Sequence, residues 1–301
     1  MEALRFAFQA MASPCEIVLG AVDPAAAASA AAAAEAEVRR IEAKYSRFQP
    51  GSVIGQINAN AHAQAIVLDA ETSALMDYAD RLHLLSDGLF DITTGVLQSA
   101  WDFKAGRLPE QAVLDDLLAH VGWSHVQREA NSLRMDDPRV QLDIGGFGKE
   151  YAADRATGVL IAAGVKSGYI DLGGDIRVIG PKPDGSAWQM GIRHPRKTGG
   201  IFAGMPMTTG ALATSGDYER YFEKDGQHYC HILLPQTGWP VRYWQSVSVL
   251  APLTTTAGAT CTIAMLKQKE GLDFLHASGF SFLAIDADGQ PHTHNNNELN
   301  A

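Results

Sequence analysis

The chain has 301 residues, 46% of them hydrophobic, and a formal net charge of −10. That length and apolar content allow one large domain or two closely packed subdomains with a full core, and the acidic balance argues against a nucleic-acid or membrane-surface partner. Cys15, Cys230 and Cys261 are scattered, without CxxC or metal-ligand spacing, so no disulfide framework is expected.

In chain order, "MEALRFAFQAMASPCEIVLG" alternates like a pair of strands. It has no basic n-region and no long apolar run, so neither a signal peptide nor a membrane span is expected and the cytoplasm is the default location; a removed leader would make it the periplasm. Asp23 is placed to cap an alanine-rich helix over 24–44. "LDAETSALMDYADRLHLLSDG" has helical spacing and ends at Gly88. In "GLFDITTGVLQSAWDF", Asp91 would cap a helix beginning at Thr93 or Thr94, and Trp101 and Phe103 suit either a planar ligand or core. "PEQAVLDDLLAHVG" reads as a third helix.

"HVQRE", "SLRMD" and "VQLDI" follow as strands. The last leads through glycines into a helix, "GGFGKEYAADRATGVLIAAG". Backbone N–H groups at such a start bind anions. Lys149 in its first turn opposes the helix dipole unless it meets an anion; the alternative is a plain turn with a solvated lysine. "YIDLGGDIRVIG" sets Asp171 and Asp175 around two glycines, as a hairpin or a place of close approach. "AWQMGIRHP", "GIFAGMPM", "ALATSGD" and "YERYFEKDGQHYCHILL" are short strand runs, with "KDGQ" a hairpin turn. Ser215, Asp217 and His231 are candidate polar groups, although a lone histidine on an apolar strand is commonly a core residue. After the strand "SVSVLAP", "TTTAGATCTIAML" begins a helix whose hydroxyls either cap it or face a phosphate. "EGLDFLHASG" is helical and "FSFLAID" is a last strand. Residues 289–301 read as a polar, disordered tail with His292 and His294 solvated, behind a single domain over 1–288. Strand runs broken by single helices predict an α+β fold with largely antiparallel sheets. No GxGxxG follows a strand, which disfavours a dinucleotide-binding doubly wound sheet.

Eight of these pieces, in order, resemble the ApbE-type FAD:protein FMN transferases: "AMASPCEIVL", "YSRFQPGSVIGQIN", "GLFDITTGVL", "LDIGGFGKEYAADRA", "YIDLGGDIRVIG", "ATSGDYERYF", "HILLPQTGWPV" and the helix at 256–267. The resemblance runs from about residue 6 to 286 and implies two intimate subdomains with flavin between them. It implies cleavage of the FAD pyrophosphate with Mg²⁺ and transfer of FMN through a phosphoester to a threonine or serine of an acceptor protein, with release of AMP. The alternatives are a weak or inactive FAD-binding protein and an FAD pyrophosphatase giving FMN and AMP. By position, the resemblance assigns Met11, Phe48, Trp101, Asp102, Phe103, Asp143, Lys149 and Ile232 (or Leu233) to FAD contacts. It assigns the carbonyl of Gly146 and the hydroxyl of Thr262 to the metal, and His231 to the base that takes the acceptor proton, with Lys149 stabilising charge on the phosphates.

Two departures stand out. The family usually carries an aspartate and a threonine four residues apart on the last-named helix, facing one metal across a single turn. Here "AGATCTI" keeps Thr262 but has Gly258 at the aspartate position, so the expected carboxylate is missing; Asp175, Asp217 or water are candidates to replace it. Leu234 stands where a second aspartate is common. "TTAGAT" also resembles the acceptor motif of flavinylated proteins, with Thr260 as acceptor, but a helix would bury that hydroxyl.

Overall fold

The computed structural model describes residues 3–20 and 23–295. Strands β1 (Leu4–Ala10) and β2 (Ser13–Leu19) form the expected hairpin. Helix α1 (Pro24–Tyr45) is capped by Asp23, which accepts from the N–H groups of Ala25 and Ala26. Then come α2 (Val53–Asn60), β3 (Ile66–Val67), α3 (Ala70–Leu85), a 3₁₀ helix (Gly95–Ala100), α4 (Gln111–Leu118), β4 (Val126–Glu129), β5 (Ser132–Met135) and α5 (Gly148–Ala162). The second half runs β6 (Gly168–Leu172), β7 (Asp175–Gly180), β8 (Trp188–Arg193), β9 (Ile201–Met207), β10 (Gly210–Gly216), β11 (Tyr221–Lys224), β12 (Gln227–Cys230), β13 (Trp244–Ala251), α6 (Thr254–Leu266), α7 (Gly271–Ser278), β14 (Ser281–Asp286) and β15 (Pro291–His294).

The frame is one eight-stranded sheet in the order β1-β2-β6-β7-β10-β13-β14-β15, with every neighbouring pair antiparallel. One face carries α1, α5 and α6. Alanines at 27, 30, 31 and 34 form the buried stripe of α1, and Ala152, Ala153 and Ala156 answer on α5, so the two helices pack at close range. The other face, with Val18, Ile176, Val178 and Leu212, is covered by the β8–β9 hairpin through Trp188, Met190, Ile192 and Met207. A third cluster joins the 3₁₀ helix, α4 and the β11–β12 hairpin. Among the described residues, no helix is long and apolar enough to cross a membrane.

The structure differs from the sequence reading at five places. "VQLDI" is not a strand: Asn58 donates to the Leu142 carbonyl and accepts from the Leu142 N–H, so a side chain on α2 takes the place of a neighbouring strand. That helix was itself unforeseen and is capped by Ser52, whose Oγ accepts from Gly55 N–H. Asp91 caps no helix, since its carboxylate holds the N–H and hydroxyl of Thr93 and the N–H of Trp123 while the 3₁₀ helix starts later. "HILL" is not a strand either: β12 stops at Cys230, and only Leu233 bridges, to Pro240. The tail is ordered as far as β15, which pairs with β14; His292 Nε2 lies 2.8 Å from an Asp286 carboxylate oxygen and its ring meets Trp244 edge to face. Residues 296–301 lie outside the described residues.

Candidate active site

The glycines of the β6–β7 turn set the first part of the site. Gly173 and Gly174 have φ of 67° and 101°, values that L side chains rarely adopt. A Cβ at Gly173 would come within 2.8 Å of Ser13 Cβ and 3.5 Å of Lys149 Nζ, so the turn passes only because it is bare. Beside it, Lys149 Nζ pairs with Asp175 Oδ2 at 2.7 Å. This answers the oddity of a lysine at a helix start: it is half-buried and paired with a carboxylate. Burial works against the Lys149 charge, but Asp175, and after it Glu150, outweigh that and hold the ammonium above its ordinary range.

The second part is the meeting of α5 and α6. The N-terminus of α6 does not face open space. Asp154 on α5 accepts from the N–H groups of Thr254 and Thr255 and from the Thr255 hydroxyl, each at 2.9 Å. Neither reading of the threonine run was complete: a carboxylate from another helix caps α6. One turn further, Gly258 is buried against Glu150, and Thr262 Oγ1 lies 3.0 Å from Ser215 Oγ on β10. Glu150 is itself buried, with Oε2 lacking a hydrogen-bond partner. Burial first, then Asp175, raises its pKa, against the opposing pull of Lys149. Thr260 is buried and donates to the Thr256 carbonyl, so its hydroxyl is committed within the helix.

The third part lies after β12. His231 Nδ1 is buried without a partner, its N–H donates to the Arg220 carbonyl, and its carbonyl accepts from Gln98 Nε2. Burial, then Arg220, push the imidazole down to about 4, with a smaller push from Lys149. The ring is therefore neutral near pH 7 with a lone pair to offer, and it feels the Lys149 charge. Ile232, next to it, is half-buried and packs on the main core.

The remaining predicted residues fall in two groups. Asp143 accepts from Gly145 N–H and pairs with Arg47 Nε at 2.8 Å, and the Arg47 guanidinium lies 4.4 Å from the ring centre of Phe48, which is 76% exposed. Gly146 is exposed in the turn before α5. Met11 occupies the β1–β2 turn with φ of 52°, and its N–H donates to Glu42. In contrast, Trp101 is buried, stacked on Phe103, edge-on to Trp239, and donates its indole N–H to the Gly238 carbonyl. It fills core in the third cluster. Asp102 is exposed and accepts from Ala105 N–H in a local turn. Of the acids proposed to replace the missing aspartate, Asp217 is held by both terminal guanidinium nitrogens of Arg196 and Asp175 by Lys149. The residues that sequence reasoning missed are Arg47, Glu150 and Asp154. Each stands within a motif already singled out, but its partner is remote in sequence.

Comparison with known proteins identifies the family. A model of the ApbE family matches residues 11–283. The FAD:protein FMN transferase of Haemophilus influenzae is 27% identical over 264 residues, covering 83% of this chain and 76% of the relative. That of Rhodobacter capsulatus is 32% identical over 240 residues, covering 78% of this chain, although the aligned part is only 46% of that longer relative. Among solved structures, the ApbE protein of Thermotoga maritima superposes with a TM-score of 0.89 at 30% identity, covering 97% of each chain. The apo flavinyl transferase ApbE of Pseudomonas stutzeri gives 0.84 at 26% identity, covering 99% of this chain and 96% of the other. With a family model spanning nearly the whole molecule and the α+β fold of its solved members, the chain belongs to the ApbE family.

Proposed function

We propose that this chain is an FAD:protein FMN transferase. The acceptor threonine or serine hydroxyl attacks the FMN-side phosphorus of FAD. The bond from that phosphorus to the bridging oxygen breaks, AMP leaves with that oxygen, and the hydroxyl proton passes to His231. The observations that carry this reading are a neutral imidazole, His231, whose Nδ1 is buried without a partner, and a half-buried ammonium, Lys149, held in place by Asp175. A base and a fixed cation are what an in-line phosphoryl transfer asks of a protein. Lys149 would stabilise charge developing on the transferred phosphoryl and on AMP, and Asp175 keeps its Nζ in place. Asp143, held by Arg47, with Phe48, Met11 and Ile232 would line the nucleotide, and Phe103 and Asp102 follow Trp101 on the adjoining segment.

Magnesium suits the donors at hand, which are hard oxygens: the Gly146 carbonyl, the Thr262 hydroxyl and a buried carboxylate oxygen without a partner. Among the described residues, no three His, Cys, Asp or Glu side chains converge as a metal centre, so the pyrophosphate would have to supply ligands of its own. Bound there, the ion would neutralise phosphate charge and polarise phosphorus.

The test is incubation of purified protein with FAD, Mg²⁺ and a threonine-containing acceptor peptide, following AMP by chromatography and the peptide by mass. Peptide carrying one FMN, with one AMP released per modification, is expected. AMP and FMN released at the same rate without peptide would assign water as the acceptor, and bound FAD without AMP would overturn the enzymatic reading.

A further inference from the structure

The missing aspartate has a physical counterpart in the packing of α5 on α6. A Cβ built at Gly258 would lie 2.4 Å from Oε1, 2.6 Å from Cγ and 2.9 Å from Cδ of Glu150. Real side chains do not approach so closely, so a side chain at 258 would require the Glu150 carboxylate to move. The glycine and the glutamate are one arrangement seen from two helices.

Asp175, Asp154 and Asp217 are committed. Asp175 is paired with Lys149. Asp154 caps α6, with Arg177 at 3.5 Å. Asp217 is bidentate to Arg196. Glu150 alone among these carries a buried oxygen, Oε2, with no hydrogen-bond donor, on a residue only 7% exposed. A carboxylate oxygen withdrawn from water and left unpaired is costly unless a proton or a cation completes it. The side chain meets α6 at Gly258, one turn before Thr262 on the same helix face.

We infer that Glu150 supplies, from α5, the carboxylate ligand for the divalent cation that the family resemblance assigns to an aspartate at position 258 on α6. The inference rests on the transferase reading of the site. It also means that Gly258→Asp alone does not rebuild the family's site, because the new side chain would displace the Glu150 carboxylate; the restoring change is the exchange of both residues.

The experiment is a titration of FAD-loaded protein with Mn²⁺ as the probe, read by loss of the free-ion electron paramagnetic resonance signal, without acceptor peptide. Wild type, Glu150→Gln and the double variant Glu150→Gly/Gly258→Asp are compared. FAD binding is measured separately by flavin fluorescence in EDTA. Glu150→Gln is expected to weaken Mn²⁺ binding by about tenfold or more, the scale on which a metal site responds to loss of a supporting group. Its FAD binding in EDTA should stay close to wild type, and the double variant should recover Mn²⁺ affinity. Equal Mn²⁺ affinity in wild type and Glu150→Gln would overturn the inference. If Glu150→Gln does not fold, the double variant decides: Mn²⁺ binding near wild type supports the inference, and a folded double variant that binds FAD but not Mn²⁺ overturns it. A wild type that fails to bind FAD in EDTA would overturn the transferase reading instead.

Discussion

At the scale of single residues, structural and chemical roles can be separated by experiment. Lys149 and Asp175 form a mostly buried pair, so Lys149→Met leaves an uncompensated carboxylate and should cost about 3–5 kcal/mol of stability by chemical denaturation. Adding Asp175→Asn should recover most of that loss. AMP release should stay depressed by about a hundredfold or more in both variants, because the cation on the phosphates is gone; recovery of turnover in the double variant would show that Lys149 is only structural. His231 gives a pH test. Its folded pKa, about 4, lies below the ordinary histidine value near 6.5 through burial and then Arg220 and Lys149. Between those values the unfolded chain binds more protons, so this residue's contribution to stability is present above about 6.5 and is lost as the pH falls toward 4. Wild type should therefore lose about 2 kcal/mol more than His231→Gln between pH 7 and 4.5. A parallel decline of the two melting curves would contradict the assigned burial. Lys149 and His231 are legible in the sequence because each sits inside a local motif. Their environments are not: Arg220 comes from the other end of the β11–β12 hairpin, Asp175 and the Glu150–Gly258 contact come from more distant segments, and no local spacing encodes a partner across a packed interface.

At the scale of elements, what could be read followed from local physics. The alanine helix with its Asp23 cap, the strand pair at the N-terminus and the Asp225–Gly226 turn of the β11–β12 hairpin, with φ of 51° and 71°, each carry their signal within a few residues. What escaped was decided elsewhere. Residues 140–144 have strand composition, yet Asn58 satisfies Leu142 from α2. The polar tail has no apolar pattern, yet Pro291–His294 pairs with the edge of the sheet. The α6 start is the same lesson in energetic form. Its cap comes from Asp154, through three hydrogen bonds to Thr254 and Thr255, and not from its own N-cap residue, Leu253. Asp154→Ala should thus destabilise the protein by about 1–2 kcal/mol, the scale of a lost helix cap, with Asp154→Asn losing less. Urea midpoints would decide it; an unchanged midpoint in Asp154→Ala would mean that water replaces the carboxylate without cost.

At the scale of the whole molecule, the candidate site is made from parts that only the folded chain assembles. Arg47 and Phe48 follow α1, Asp143 precedes α5, Asp175 begins β7, His231 follows β12, and Thr262 lies on α6. A nucleotide held by all of them has no counterpart to bind in the unfolded chain, so its binding energy adds directly to folding stability. FAD at a hundred times its dissociation constant should then stabilise the native state by about 2.7 kcal/mol. In a chain of this size that corresponds to a rise of several degrees in melting temperature, at roughly 2–4 °C per kcal/mol. The rise should be larger with Mg²⁺ than with EDTA, because a protein of net charge −10 holding a pyrophosphate gains from a bound cation. AMP alone lacks the flavin and the bridging phosphate, so at equal concentration it should shift the transition less. Calorimetric scans with FAD and Mg²⁺, with FAD and EDTA, and with AMP and Mg²⁺ test the ordering. A shift that is the same for AMP as for FAD would place the nucleotide outside the candidate site, since only FAD can engage both of its ends at once.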